Sequence, residues 1–260
     1  MSNSGSDGGS GVVQSVDRAI EILELLARTG ESGITEIAAH LGVHKSTASR
    51  LVYTLQKREL VEQHGERGRF TLGLGVLRFT GAASNQSEIV RVGTPLCEAL
   101  AEKLGESVHI AVLDGTDVIN VCEARGPSAI STQEWTGRPT PPHTSSSGKV
   151  LLAAAPRERQ ELVLSRGLEA CAPRTITDPH RLREELERVR KDGYAVAIEE
   201  FEPGLHGVAV PVRGKGDDVI AAISASGPSY RMKRTQMRDM VAELRIAAQD
   251  LSARLGYARR

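Results

Sequence analysis

The chain has 260 residues, 40 % of them hydrophobic, and its 33 Lys and Arg balance 33 Asp and Glu. That length accommodates two domains with real cores, and the neutral total excludes a polycation, so any nucleic-acid partner must be sought in local charge. Cys97, Cys122 and Cys171 are odd in number and far apart, which fits neither a disulfide framework nor a zinc site and points to a reducing cytoplasm.

The first ten residues, rich in Ser and Gly, read as a disordered tail. No signal peptide precedes the fold, and no run of roughly 18 apolar residues directs it into a membrane. Ser15 can cap a helix with the inward stripe Val16, Ala19, Ile20, Leu23 and Ala27, ending at Gly30.

Residues 35–57 then read as two helices joined by a tight turn. The first is capped by Thr35 and ends at Gly42, and Val43 and His44 make the turn. From Lys45, the residues Ala48, Leu51, Val52 and Leu55 fall at i, i+3, i+4 and i+7, so one face packs inward. The other face carries Lys45, Ser46, Thr47, Ser49, Arg50, Tyr53, Thr54 and Lys57, and no acidic residue occurs before Glu59. Small hydroxyls among long cations suit a major groove, where Arg takes guanine bidentately and hydroxyls reach phosphates or base edges.

Residues 60–63 and 69–72 read as strands around a turn with two glycines, a wing that places Arg67 and Arg69 against DNA. Residues 11–73 are thus expected to form a winged helix-turn-helix. Residues 74–92 are expected to be a partly helical linker, whose Leu74, Val76, Leu77 and Phe79 pack either on a second copy of the chain or on the downstream domain.

Residues 93–260 are expected to form one α+β domain with a mainly antiparallel sheet. A helix starts at Thr94 with Pro95 in its first turn, and a hairpin turns at Asp114-Gly115. A further extended stretch runs to Trp135, and the proline-rich run 137–143 is a shaped loop leading into a capped helix start at 144–152. Two helices, 156–166 and 178–192, precede strands 194–200, 207–212 and 219–226 and a last helix, 235–255.

Ser146 and Lys149 match S-x-x-K, the spacing of a serine nucleophile and an activating lysine, but neither S-D-N nor K-T-G accompanies them. A phosphate loop fails, because His143 and Val150 stand where Gly and Ser or Thr are required. A binding site suits the segment better: a helix N-terminus with small hydroxyls offers free amides and a positive dipole end to a carboxylate. Ser224 and Ser226 alternate along a strand and point to one face, where they either complete such a pocket or merely fill it. His109 and His206 have no partner at metal spacing, and neither metal nor cofactor is expected.

Taken together, Gln14-Ser15-Val16-Asp17-Arg18-Ala19, Ser46-Thr47 with Arg50-Leu51, Phe70-Thr71-Leu72-Gly73, Arg138-Pro139 through His143 to Ser147-Gly148-Lys149, Glu202-Pro203-Gly204, Ala209-Val210-Pro211-Val212 and Ala222 through Gly227 resemble the IclR-type bacterial transcription regulators over nearly the whole chain. The resemblance implies a winged helix-turn-helix, a linker helix and a GAF-like effector domain, assembled as a homodimer or homotetramer on a double-stranded operator and controlled by a small-molecule effector. It implies that the backbone at Ser146 and Ser147 holds the carboxylate of a small acid, helped by Ser224 and Ser226. Gly207 stands where several members carry a ligand-contacting Cys, and Ala197 where they carry an Asp, with Glu199 or Glu200 as the available substitutes. A larger or less acidic effector follows as an expectation.

Overall fold

The computed structural model describes residues 13–64, 68–79, 88–128 and 135–257. The chain divides into two compact units, within residues 1–84 and 85–260. The tail 1–10, the wing tip with Arg67, part of the linker and most of the extended stretch before Trp135 lie outside the described residues.

In the first unit, α1 (Gln14–Thr29), α2 (Ile34–His40) and α3 (Lys45–Lys57) pack with a three-stranded antiparallel sheet of β1 (Ser32–Gly33), β2 (Val61–His64) and β3 (Arg69–Leu72). The hairpin register runs from Val61↔Leu72 to His64↔Arg69. β1 was not foreseen, and its pairing with β3 sets Gly33 opposite Arg69.

Three features of the helices differ from expectation. α1 begins after Val13 rather than at a Ser15 cap. It buries Ile22, Leu25 and Leu26, and leaves Val16 and Ile20 about half exposed. The helix is apolar around more than one face, and the stripe that meets α2, α3 and the sheet lies round the axis from the one periodicity selects. Thr35 does not cap α2: the Gly33 amide donates to Glu36 Oε2 at 2.8 Å, and Thr35 sits exposed inside the first turn. Gly42, at φ +63°, ends α2 in the left-handed conformation as expected.

The second unit is a six-stranded antiparallel sheet, order β6-β5-β4-β9-β8-β7, of β4 (Ser107–Asp114), β5 (Asp117–Ala124), β6 (Pro139–Thr140), β7 (Ala195–Ile198), β8 (Leu205–Arg213) and β9 (Val219–Pro228). Its helices are α4 (Glu88–Leu104), α5 (Ser146–Ala154), α6 (Arg157–Ser165), α7 (Pro179–Asp192) and α8 (Arg234–Arg254). α4 begins at or before Glu88 and carries Pro95 in its interior, not in its first turn. Pro95 removes one donor, and burial of Gly93, Cys97, Leu100 and Ala101 against the sheet offsets the loss.

Strand alternation divides the sheet into two faces. Val108, Ile110, Val208, Val210, Ile223 and Ala225 join the core under α4 and α8. The intervening residues face α5 and α7, where Ala111, Ala209 and Ala222 join the second core. That second face is small and polar toward one end, with His109, Ser224, Ser226 and Gly207.

Candidate functional site

The first candidate surface is the outer face of α3. Ala48, Val52 and Leu55 are buried, whereas His44, Lys45, Ser46, Ser49, Arg50, Tyr53, Thr54 and Lys57 are exposed and Thr47 is half-buried. Thr54 Oγ1 donates back to Arg50 O at 2.9 Å, and Lys57 Nζ stands 5.1 Å over the Tyr53 ring. Arg50 and Lys45 have no side-chain partner among the described residues, so both cations are available to a polyanion.

Arg69 departs from its expected place in the wing. Its Nε lies 2.7 Å from Glu31 Oε1, and its Nη2 3.2 Å from Glu36 Oε2. The β1–β3 pairing brings this arginine beside both carboxylates, so its charge is spent inside the domain. The Gly33 amide and then the Arg69 guanidinium hold the Glu36 carboxyl below its ordinary range.

The second candidate site is a cavity of about 90 Å³ between the polar end of the sheet and the start of α5. Its sheet wall combines Asn120, His109, Ser224, Ser226, Gly207 and Ala197. His109 is in register with Ser224, and Ser226 with Gly207. Asn120 reaches this face because a bulge opposite Ile110 and Ala111 shifts the β5 register, so that Asn120 turns to the cavity and Cys122 to the opposite core.

The opposite wall is the start of α5. Ser145 Oγ accepts the Gly148 amide at 3.1 Å, and Ser145 O accepts the Lys149 amide at 3.0 Å. The amides of Ser146 and Ser147 have no protein acceptor among the described residues. A Cβ on Gly207 would come within 3.0 Å of Ser146 Oγ, so the glycine leaves room for that hydroxyl. Trp135 and Phe201 close another side as an edge-to-face pair with centroids 5.1 Å apart.

Among the described residues no carboxylate and no Lys or Arg lines the cavity. Two free amides, serine hydroxyls and the positive end of α5 suit an anion.

Neither expected acidic substitute reaches this cavity. Glu199, at φ +56°, accepts the Gly204 amide and faces Arg174 at 3.2 Å. Glu200 is buried against Lys149, with Nζ 2.7 Å from its Oε1. Both turn away because β7 ends at Ile198, and the chain beyond follows the turn instead of the sheet alternation.

Lys149 also donates to Val196 O at 3.0 Å and Glu185 Oε1 at 3.4 Å. These three acceptors, and not Ser146, are the partners of its Nζ. The serine–lysine arrangement of a hydrolase is not assembled.

Ser146, Ser147, Ser224, Ser226 and Gly207 are therefore brought together as the sequence led us to expect, and His109, Asn120, Trp135 and Phe201 are additions. The one local sign of His109 was a histidine inside an apolar strand. Among the described residues no group of His, Cys, Asp or Glu has a metal-holding arrangement, and no helix is long and apolar enough to cross a membrane.

A helix-turn-helix unit joined to a second unit that encloses a small anion-suited cavity defines a transcriptional regulator with an effector-binding domain. The chain matches the family model "IclR helix-turn-helix domain" over residues 15–65 and "Bacterial transcriptional regulator IclR C-terminal" over residues 81–253. It is 32 % identical to the regulator BhcR of Paracoccus denitrificans over 94 % of this chain and 88 % of that protein. It is 31 % identical to the repressor AllR of Escherichia coli K12, over 94 % and 90 %. An IclR homologue from Microbacterium hydrocarbonoxydans, solved with 4-hydroxybenzoate, superposes with a TM-score of 0.73 at 31 % identity, over 94 % of this chain and 98 % of that one. The chain belongs to the IclR family of DNA-binding transcriptional regulators.

Proposed function

We propose that this regulator is a cytoplasmic repressor whose operator affinity changes when a small carboxylate enters the cavity beside α5. The observation that carries this reading is the convergence of the unpartnered Ser146 and Ser147 amides with the hydroxyls of Ser146, Ser147 and Ser224 in a space that no carboxylate of the described residues lines. Likeness to AllR, a named repressor, supports repression. The 4-hydroxybenzoate bound by the Microbacterium homologue supports an organic acid as effector. The cavity of about 90 Å³ favours a compact acid over a larger ligand, since a cavity of roughly 150 Å³ accommodates benzene.

In this reading α3 enters the major groove, with Thr35, His44, Lys45, Ser46, Thr47, Ser49, Arg50, Tyr53, Thr54 and Lys57 as the contact set and Arg67 extending it from the wing. Arg69 acts by holding the wing to α2. The protein works by binding, not catalysis, and as a homodimer or homotetramer. The exposed apolar residues Val13 ahead of α1 and Val16 and Ile20 on it, with Leu74 and Phe79, support association with a second copy. Residues 11–73, 74–92 and 93–260 serve as reader, linker and sensor.

Fluorescence anisotropy on DNA from the chain's own upstream region, against scrambled DNA across a salt series, tests the reading. Specific binding with a steep salt slope is expected. Arg50→Ala is expected to weaken operator binding by about 1–3 kcal/mol, the value of a lost bidentate or phosphate contact. Unchanged affinity would remove Arg50 from the interface. Ser146→Ala with Ser224→Ala is expected to blunt the response of DNA binding to small acids while binding without acid persists. Loss of DNA binding in the absence of acid would instead assign these serines to the fold.

A further inference from the structure

A second cavity, of about 310 Å³, lies on the same face of the sheet as the effector cavity. His109, Leu205 and Ser226 line both, whereas Ser107 and Pro228, two residues along β4 from His109 and along β9 from Ser226, line the second alone. Alternate residues of a strand share a face, so the two spaces follow one another along one floor.

One further described residue lines both spaces, and it does not come from that floor: the half-buried Trp135. It precedes β6 in a segment stitched to β5. Its amide donates to Glu123 Oε2 at 2.8 Å, Thr136 bridges Asn120, and the Gly137 amide donates to Asn120 O at 2.8 Å. The ring itself meets Phe201 edge-to-face. A side chain fixed through its backbone on one side and against a packed ring on the other is a wall, not a loose cover.

Resting on the carboxylate reading above, we propose that Trp135 sets the length of acid the effector cavity accepts, because its indole divides one groove along the sheet into the space beside the Ser146 and Ser147 amides and the larger space beyond. An acid anchored at those amides then has room for a short carbon chain only. With the indole removed, a longer chain runs on over His109 and Ser226 into the second space. The walls there carry Glu106 and Glu123, whose side chains are 6 % and 8 % exposed and each bonded to an arginine, with the exposed Glu202 at the rim. Among the described residues no Lys or Arg lines this space, so an uncharged tail enters it, and a second carboxylate would leave water unpaired.

The test is calorimetric titration of the full chain with the straight-chain monoacids from acetate to octanoate, and with adipate. In the wild type, affinity is expected to fall beyond about four carbons, since a cavity of roughly 150 Å³ accommodates the ring of benzene. Trp135→Ala is expected to reverse the trend, each methylene added up to hexanoate strengthening binding about three- to fourfold. The same variant should bind adipate at least about tenfold more weakly than hexanoate, as an unpaired buried charge demands. Trp135→Phe, which keeps an aromatic wall, should keep a limit close to that of the wild type. A length limit in Trp135→Ala equal to the wild type's overturns the proposal, and so does adipate binding as tightly as hexanoate, which puts the tail outside the second cavity. Loss of acetate binding along with the longer acids would assign Trp135 to the anion end and overturn it too. If the wild type binds no acid of any length, the carboxylate reading falls, and this inference with it. Should Trp135→Ala fail to fold by circular dichroism, Trp135→Leu takes its place, with a smaller extension of the limit expected and an unchanged limit again decisive against the proposal.

Discussion

Lys149→Ala is expected to destabilise the C-terminal unit by about 3–5 kcal/mol, because it removes one partner from a buried ionic cluster and leaves the others uncompensated. The Lys149 side chain is 1 % exposed, and those of Glu200 and Glu185 are 10 % and 15 % exposed. Arg188 remains for Glu185, but among the described residues no other cation reaches Glu200. The cluster ties α5 and the end of β7, which both contribute to the wall of the candidate cavity, to α7. Lys149→Met restores most of the lost volume yet leaves the carboxylate unpaired, so it too should be strongly destabilising. Adding Glu200→Gln to Lys149→Met should recover part of the loss, since the buried charge is then gone. Urea unfolding followed by the emission of Trp135, the chain's one tryptophan, reads this unit selectively. A loss below about 1 kcal/mol would place the cluster among weak surface pairs.

What the sequence made legible was local. The start of α5 was readable because a run of hydroxyls before an apolar helix is a capping signal, and Ser224 with Ser226 was readable because a strand alternates. His109 was not, since it meets Ser226 across 117 residues of chain through the β4–β9 pairing. Asn120 needed a bulge to face the cavity, and no simple periodicity marks a bulge. Arg69 and Glu200 were misplaced for a related reason. Each carries a charge that looks free in one dimension, and each finds its partner only when distant elements pair. On α1 the pattern correctly gave a helix but chose a neighbouring apolar face, because burial is settled by what the helix packs against.

Gly148→Ala is expected to cost about 3 kcal/mol, at the upper end of what overpacking a core costs, and to abolish acid binding. A Cβ on Gly148 would lie 2.2 Å from Pro142 O, 2.6 Å from its Cα and 2.7 Å from its carbonyl carbon. All three are backbone atoms, so no rotamer change relieves the contact and α5 must move away from the 3-10 turn Pro142–Thr144. The gain in helix propensity from Gly to Ala, about 1 kcal/mol, does not offset that displacement. The same motion carries the Ser146 and Ser147 amides off the position where they meet Ser224. Gly207→Ala provides the contrast, because its Cβ would meet Ser146 Oγ at 3.0 Å, a hydroxyl that can turn aside. That variant should stay within about 1.5 kcal/mol of the wild type in urea, as tolerated core changes do, yet lose affinity for acids because it fills the space beside Ser146. If Gly148→Ala unfolds and titrates like the wild type, the close approach of α5 to Pro142 is not what positions the anion site.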